Sequence, residues 1–212
     1  MKKIVLLFVL GIGLISIQAQ EPIALNAPSQ ERGSSLMEAF RSRQSLREYQ
    51  EKDLSLQDLS DLLWATYGIN RENGKRTAPT AQNSQDVDVY VCRADGTYLY
   101  DAANRQLVPV SSEDIRPLME GRRPTNAPIC VLLVADMSRY KGYAPDSNNL
   151  KHYYEMGAVD CGIVSQNLAL FCAGTGLATV PRASMDQEGI RKALNLPETV
   201  HLWLNHPVGY PK

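Results

Sequence analysis

From Asn149 to Ala173 the chain reads as one long helix, opened by the polar pair Asn148-Asn149 and closed by Gly174 and Gly176. Within it Gly157, Cys161, Ser165, Ala169 and Ala173 recur at every fourth residue, which is one stripe along a helix. Small residues at that spacing form a shallow groove that lets another helix approach closely. Val159, Ile163, Val164, Leu168, Leu170 and Phe171 fill the other sides. A helix that is apolar nearly all round sits in the middle of something, so the rest of the chain has to cover it.

That covering is legible in outline. Residues 20–33 are polar and read as an extended arm. Ser35-Leu36-Met37-Glu38 is a capping box, in which the Ser35 hydroxyl and Glu38 carboxylate each take up a free amide donor, and it starts a helix to about Arg43. A second helix opens at Ser55, carries Leu56, Leu59, Leu62, Leu63 and Tyr67 on one face, and stops at Gly68. A long polar loop spans 69–86 and holds Gly74 and Pro79; loops of this length in a compact domain are usually functional. Val87, Val89 and Val91 alternate into a strand, Asp95-Gly96 turns it, Thr97–Tyr100 returns, and Gln106–Val110 adds a third strand. Ser111 or Ser112 caps a short helix over 113–119, and Pro128–Ala135 is apolar throughout, as in a strand buried on both faces. A short strand 178–180, a helix 185–194 and a strand 200–204 complete an α+β plan, a sheet with helices around it.

The N-terminus stands apart from this plan. Lys2-Lys3, an uncharged run from Ile4 to Ile17 and the small-residue end Ile17-Gln18-Ala19 follow the three-part order of a secretory signal peptide. The run is short for a membrane span of about 20 residues, and no stretch beyond it reads as long and apolar enough for one. The expectation is a signal peptide over 1–19, an arm over 20–33 and a single domain over 34–212, exported to the periplasm or beyond and without a stable membrane anchor. With 22 Lys+Arg against 23 Asp+Glu there is no broad basic face, so nucleic acid is not an expected partner. Cys92, Cys130, Cys161 and Cys172 all sit in apolar segments and read as buried free thiols, although in an oxidising compartment four cysteines allow three pairings. His152, His201 and His206 lack metal-ligand spacing, and neither H-E-x-x-H nor G-x-S-x-G occurs, which counts against zinc and serine-triad hydrolases.

Three segments have the chemistry of a binding site. Arg41-Ser42-Arg43-Gln44-Ser45-Leu46-Arg47 places three guanidiniums and two hydroxyls in seven residues, which suits a phosphate or a polyol chain and equally a solvated helix end. The loop from Thr77 to Gln85 offers small, hydrogen-bonding side chains that could lie against a flat ring, or serve as an exposed connector. Gly174-Thr175-Gly176, followed by Pro181-Arg182-Ala183, is by itself an ordinary helix end.

Taken in order with Asp160-Cys161-Gly162, Gln166-Asn167-Leu168-Ala169-Leu170 and the terminal Gly209-Tyr210-Pro211, these segments resemble the FMN-dependent nitroreductase family over about residues 36–211. Leu62-Leu63-Trp64-Ala65-Thr66-Tyr67-Gly68 and Gly96-Thr97-Tyr98-Leu99-Tyr100-Asp101 are similar to the branch that includes thiazole/oxazole-peptide (azoline) dehydrogenases. The resemblance implies an α+β fold with a central, mostly antiparallel sheet and a long buried dimer helix, in a homodimer with FMN at the interface. It places Arg43, Gln44, Ser45 and Arg47 at the FMN ribityl chain and phosphate, with Lys212 assisting. Thr80, Ala81 and Asn83 fall along the isoalloxazine, and Pro181, Arg182 and Ala183 where a backbone N–H approaches flavin N5. It implies ping-pong electron transfer to an aromatic or quinone-like acceptor, with NAD(P)H the donor in the family, and no side chain is nominated as catalytic acid or base. Two rivals are a dehydrogenase oxidising an azoline and a non-enzymatic, flavin-binding or flavin-free interaction protein of the same fold.

Overall fold

The computed structural model describes residues 20–121, 124–146 and 148–212; the expected signal peptide lies outside these residues. Its centre is a seven-stranded sheet in which every pairing is antiparallel. The strands are β1 (Ile23–Ala24), β2 (Val87–Arg93), β3 (Gly96–Asp101), β4 (Gln106–Ser111), β5 (Ile129–Asp136), β6 (Ala178–Thr179) and β7 (Val200–Gly209). Their order is β1-β4-β3-β2-β5-β7-β6.

β5 is central, as its unbroken apolar run implies. Val131, Leu133 and Ala135 face the layer formed by α2 (Leu56–Tyr67) and α3 (Leu150–Thr175). Cys130, Leu132 and Val134 face the opposite layer, where Ile115, Met119 and Ile190 of α4 (Gln187–Ala193) pack. The alternation of β2 divides in the same way, Val87, Val89 and Val91 to one face and Tyr90 and Cys92 to the other. All four cysteines are buried free thiols. Cys92 and Cys130 are directly opposite on β2 and β5, whereas Cys161 and Cys172 are eleven positions apart on α3, about 17 Å, too far to bridge.

Several sequence expectations change in detail. Ser35 caps α1 (Leu36–Ser42) by accepting from the Glu38 N–H at 3.2 Å, but the Glu38 carboxylate turns to Arg41 at 2.7 Å, so only half of the capping box forms. The helix expected over 113–119 shrinks to a 3-10 turn, Arg116–Met119, with Pro117 at its start. The last strand continues to Gly209 because β5 and β6 pair with it on either side. The arm is anchored: β1 pairs with β4, the Ser29 N–H donates to Asp61 at 2.8 Å, and Arg32 pairs with Asp58 and Asp61 of α2.

The small-residue stripe on α3 has a different partner from the expected helix. A Cβ on Gly157 would come within 2.5 Å of Met137 Cε and 3.0 Å of Ala135 Cβ at the end of β5. Cys161, Ser165 and Ala169 are buried. The stripe therefore lets α3 lie close against the sheet. α1 also comes close to α3 beyond the stripe, where a Cβ on Gly174 would be 3.4 Å from Ala39 Cβ. By length and composition Leu150–Thr175 does pass as a membrane span, contrary to the sequence expectation, but its buried residues belong to the core shared with the sheet.

Candidate functional site

Arg43 closes α1, its N–H donating to Ala39 O at 3.0 Å, and the chain then runs extended. The Leu46 N–H donates to Thr179 O at 3.0 Å, which lays residues 43–47 beside β6. The buried Tyr49 ring fixes the turn beyond, its hydroxyl donating to Leu46 O at 2.9 Å. Arg43, Gln44, Ser45 and Arg47 consequently point into solvent. The C-terminal tail returns antiparallel to this segment through Tyr49 and Pro211, with the Lys212 N–H donating to Glu48 O at 3.3 Å. Gly209 allows the return, since a Cβ there would meet Pro128 Cδ at 2.7 Å.

Arg47 and Lys212 thus line one depression with Asn126, about 600 Å³. It adjoins a cleft of about 700 Å³ that Arg47 shares with Glu120, Thr125 and residues 180–184. Clefts of this volume are ordinary for cofactors. Arg41 is neutralised by Glu38, but Arg43, Arg47 and Lys212 have no carboxylate partner among the described residues. Two of these three cations, Arg47 and Lys212, line one depression together with Glu48 and can offer charge-assisted donors to an anion such as a phosphate.

Pro181, Arg182 and Ala183 form a wall of the same cleft. Asn205, fully buried on β7, holds this wall. Its backbone exchanges two hydrogen bonds with Arg182 (2.9 and 2.7 Å), its side-chain oxygen accepts from Arg182 Nε at 3.0 Å, and its amide donates to Ser184 O at 3.1 Å. The Arg182 N–H is thereby engaged. Between two fixed neighbours, Ala183 is exposed and lines the cleft, and its N–H has no acceptor among the described residues.

Thr80, Ala81 and Asn83 lie elsewhere. They sit in a tight turn, Ala81–Asn83, where Gln82 and Asn83 have φ of 57° and 53°. The Ala81 N–H donates to both carboxylate oxygens of Asp160 on α3, at 3.1 and 2.9 Å. The other group touches α3 at Ala173, whose carbonyl is 3.4 Å from Ser42 Oγ. Thirteen helical positions separate these anchors, about 20 Å. A single chain therefore holds the expected residues in two clusters, one anchored near the middle of α3 and one near its C-terminal end.

Sequence reasoning missed the polar side chains that brace these clusters: Asp86, Tyr140, Asn205 and His206. All four are buried and hydrogen-bonded. The available signal was a polar residue inside an apolar run, as with Asn205-His206 after Leu202-Trp203-Leu204, since such a residue must find a partner. Asp160 gave the same signal, as the one charge between Met156 and Thr175. Burial pushes His206 down to about 3, with Arg182 adding to the effect, so its ring is neutral. The groups of three or more His, Cys, Asp or Glu side chains that a metal ion needs do not occur among the described residues.

The nitroreductase family model matches residues 40–210. A nitroreductase-type protein of Methanocaldococcus jannaschii is 28% identical over 178 residues, 79% of this chain and 86% of its own. The crystal structure of a nitroreductase-type protein from Ralstonia eutropha superimposes with a TM-score of 0.83 at 30% identity, covering 91% of this chain and 90% of that one. A chain of the Escherichia coli microcin synthetase complex McbBCD, solved with truncated pro-MccB17 bound, shares the fold at a TM-score of 0.70 and 17% identity, over 97% of this chain and 85% of its own.

Proposed function

The chain belongs to the nitroreductase family, and from that premise we propose that it is an exported, FMN-dependent oxidoreductase that works as a homodimer and passes electrons to a nitroaromatic or quinone-like acceptor. The observation that carries this is the divided site. Arg47 lines two adjoining cavities, one with Lys212 and one with Pro181–Ala183, while Thr80, Ala81 and Asn83 are tied to Asp160, about 20 Å along α3 from the point where Ser42 meets it. A second copy supplying the missing cluster at each cleft would complete two sites.

The surface supports such a partner. On α1, Leu36, Met37 and Phe40 are 64%, 75% and 52% exposed, and Val159 on α3 is 53% exposed. A groove of about 380 Å³ lies between α1, α2 and α3, lined by Leu36, Trp64, Leu170 and Phe171. Large apolar side chains clustered in this way mark an interaction surface.

FMN, if bound, would supply the redox chemistry. The chain's own residues do the binding and orienting. Arg43, Arg47 and Lys212 would hold the phosphate by charge-assisted hydrogen bonds, and Gln44 and Ser45 would serve the ribityl hydroxyls. Asn205 fixes Arg182 and Ser184, and the Ala183 N–H held between them would be the backbone donor available to the flavin. No side chain has to move a proton, so the site needs no catalytic acid or base.

The absorbance spectrum of purified mature protein, with and without added FMN, tests the reading. Oxidised-flavin bands that bleach with NAD(P)H and recover on adding a quinone are expected. A protein that stays colourless at high micromolar FMN is instead a flavin-free interaction protein. Bleaching by an azoline peptide rather than by a nicotinamide donor would reverse the direction of electron flow, toward the dehydrogenase branch that 62–68 and 96–101 resemble. Removal of residues 1–19 is checked by N-terminal sequencing of the secreted protein, which should begin after Ala19; recovery of Met1 in a membrane fraction would refute the cleavage.

A further inference from the structure

Three side-chain oxygens meet beneath the Thr80–Asn83 turn. Tyr140 Oη is 2.9 Å from Asp160 Oδ2 and 3.1 Å from Asp86 Oδ2. All three residues are buried, Asp86 completely. A phenol has one proton and can donate to one carboxylate only, so its contact with the second acid requires a proton on that acid. Buried carboxylates that share a site do not both ionise cheaply.

The surrounding donors decide which acid keeps the proton. Asp160 accepts the Ala81 N–H on both oxygens as well as the Tyr140 hydroxyl, so every contact it makes here treats it as an acceptor. Asp86 receives Ser84 Oγ at 2.8 Å on Oδ1. The balanced arrangement has the Asp86 carboxyl donating to Tyr140 Oη, Tyr140 donating to Asp160, and the Asp160 carboxylate gripping Ala81. We propose that Asp86, Tyr140 and Asp160 form a one-proton latch, with neutral Asp86 as the positioning residue that holds the Thr80–Asn83 turn in place.

The turn needs holding. Gln82, Asn83 and Gln85 all have φ near +50°, in the left-handed region where residues with a Cβ are strained. Loss of the proton sets two carboxylates against one hydroxyl, and the grip on Ala81 loosens. Other titratable and charged groups around the latch do not compete for this role. Tyr67 comes from α2 with Arg76 over its ring, Arg139 is paired with Asp88 and Asp136, and Tyr153 and Cys161 come from α3. Burial raises the Tyr67 and Tyr140 phenols and the Cys161 thiol, which keep their protons through neutrality. Burial, reinforced by Asp160, pushes Asp86 up to about 7, so the latch opens as the pH rises through that value.

Hydrogen exchange of residues 80–85 without flavin, from pH 5.5 to 9, tests the latch. Protection, corrected for the intrinsic rate, should fall about tenfold or more between pH 6 and 9 in the wild type, since each pH unit above a titrating group's pKa shifts its equilibrium by up to tenfold. Asp86→Asn, which keeps the shape and a donor but cannot ionise, should show constant protection with an unchanged far-UV spectrum. Tyr140→Phe should show low protection at every pH. Constant protection in the wild type, or a fall in Asp86→Asn equal to that of the wild type, overturns the latch. Its effect on the cofactor rests on the proposed function: FMN affinity should weaken over the same range in the wild type and not in Asp86→Asn. If FMN binds at no pH, the cofactor reading fails, while exchange still decides the latch.

Discussion

Ser165 Oγ lies 2.9 Å from Nε2 of His206, joining the middle of α3 to β7 through two buried side chains. Thr179 lies on the other side of the ring, its Oγ1 3.4 Å from Nδ1. The Thr179 hydroxyl proton goes to Pro207 O at 3.0 Å, so its oxygen is left to accept from Nδ1–H. Ser165 must then donate to an unprotonated Nε2. The ring is neutral by donor arithmetic as well as by burial, and the serine in a stripe of otherwise apolar small residues is there to satisfy it.

Removing that hydroxyl should be costly. Ser165→Ala leaves Nε2 buried without a donor, an expected loss of about 1–3 kcal/mol in urea denaturation at pH 7. Gly157→Val should do more damage, because its branched side chain would enter space held by Met137 and Ala135. Equal stability of Ser165→Ala and wild type would mean that His206 is satisfied in some other way.

Two buried groups give opposite pH dependences. His206 is depressed from 6.5 to about 3 by burial, so its contribution is complete above about 6.5 and is lost as the pH falls toward 3. Asp86 is raised from 3.8 to about 7, so its contribution is complete below about 4 and is lost as the pH rises through 7. Between about 4 and 6.5 the two slopes have opposite signs and largely cancel in the wild type. Asp86→Asn should expose the histidine slope, with stability rising with pH across that window. His206→Gln should expose the aspartate slope, with stability falling. Thermal denaturation of the three proteins at pH 4.5, 5.5 and 6.5 checks the signs, and parallel profiles would contradict the assignment.

The contrast between α3 and its stripe shows how far the sequence reaches. Leu168 and Val164 had to be buried, and β5 had to be central, because apolar side chains on every side of an element leave no other solution. What the small residues approach is not a local property. Gly157 admits the sheet because β5 ends in Met137 and Ala135 at that point, which depends on register. The candidate site divides similarly. Arg43, Arg47 and Pro181–Ala183 were legible as motifs, but the latch under Thr80–Asn83 was not, since Asp86, Tyr140 and Asp160 are distant in sequence and ordinary one by one. The Glu38 half of the capping box failed for a local reason, because Arg41 one turn later offered its carboxylate a full charge.

The exposed side of α3 should be a contact between copies. Val159 stands out from the helix with Gly162 and Gln166 one and two turns further on, all exposed. Obligate interfaces bury over about 2,000 Å², with few charges at their centre. Light scattering at micromolar concentration should give twice the mass of one mature chain. Val159→Glu should halve it, and Leu36→Glu or Phe40→Glu should weaken the association, with far-UV spectra unchanged. A folded wild-type monomer at that concentration would remove the shared site from the proposed function.

The unpaired cations provide the sharpest test of the cofactor. Arg43, Arg47 and Lys212 have no carboxylate partner among the described residues, so substituting them breaks no ion pair described here and should leave stability nearly unchanged. Binding is different, because a hydrogen bond to a charged group contributes about 1.5–3 kcal/mol, tenfold or more in affinity. Arg43→Ala and Arg47→Ala should weaken FMN by that factor and riboflavin, which lacks the phosphate, much less. Lys212→Ala should have a smaller effect, because its ammonium is carried on an exposed, flexible four-carbon stem. Titration of each variant with both flavins, followed by flavin fluorescence, separates the outcomes. Equal weakening of both flavins in the arginine variants would move the phosphate site elsewhere in the cleft and leave Arg43 and Arg47 with a role in shaping the segment beside β6.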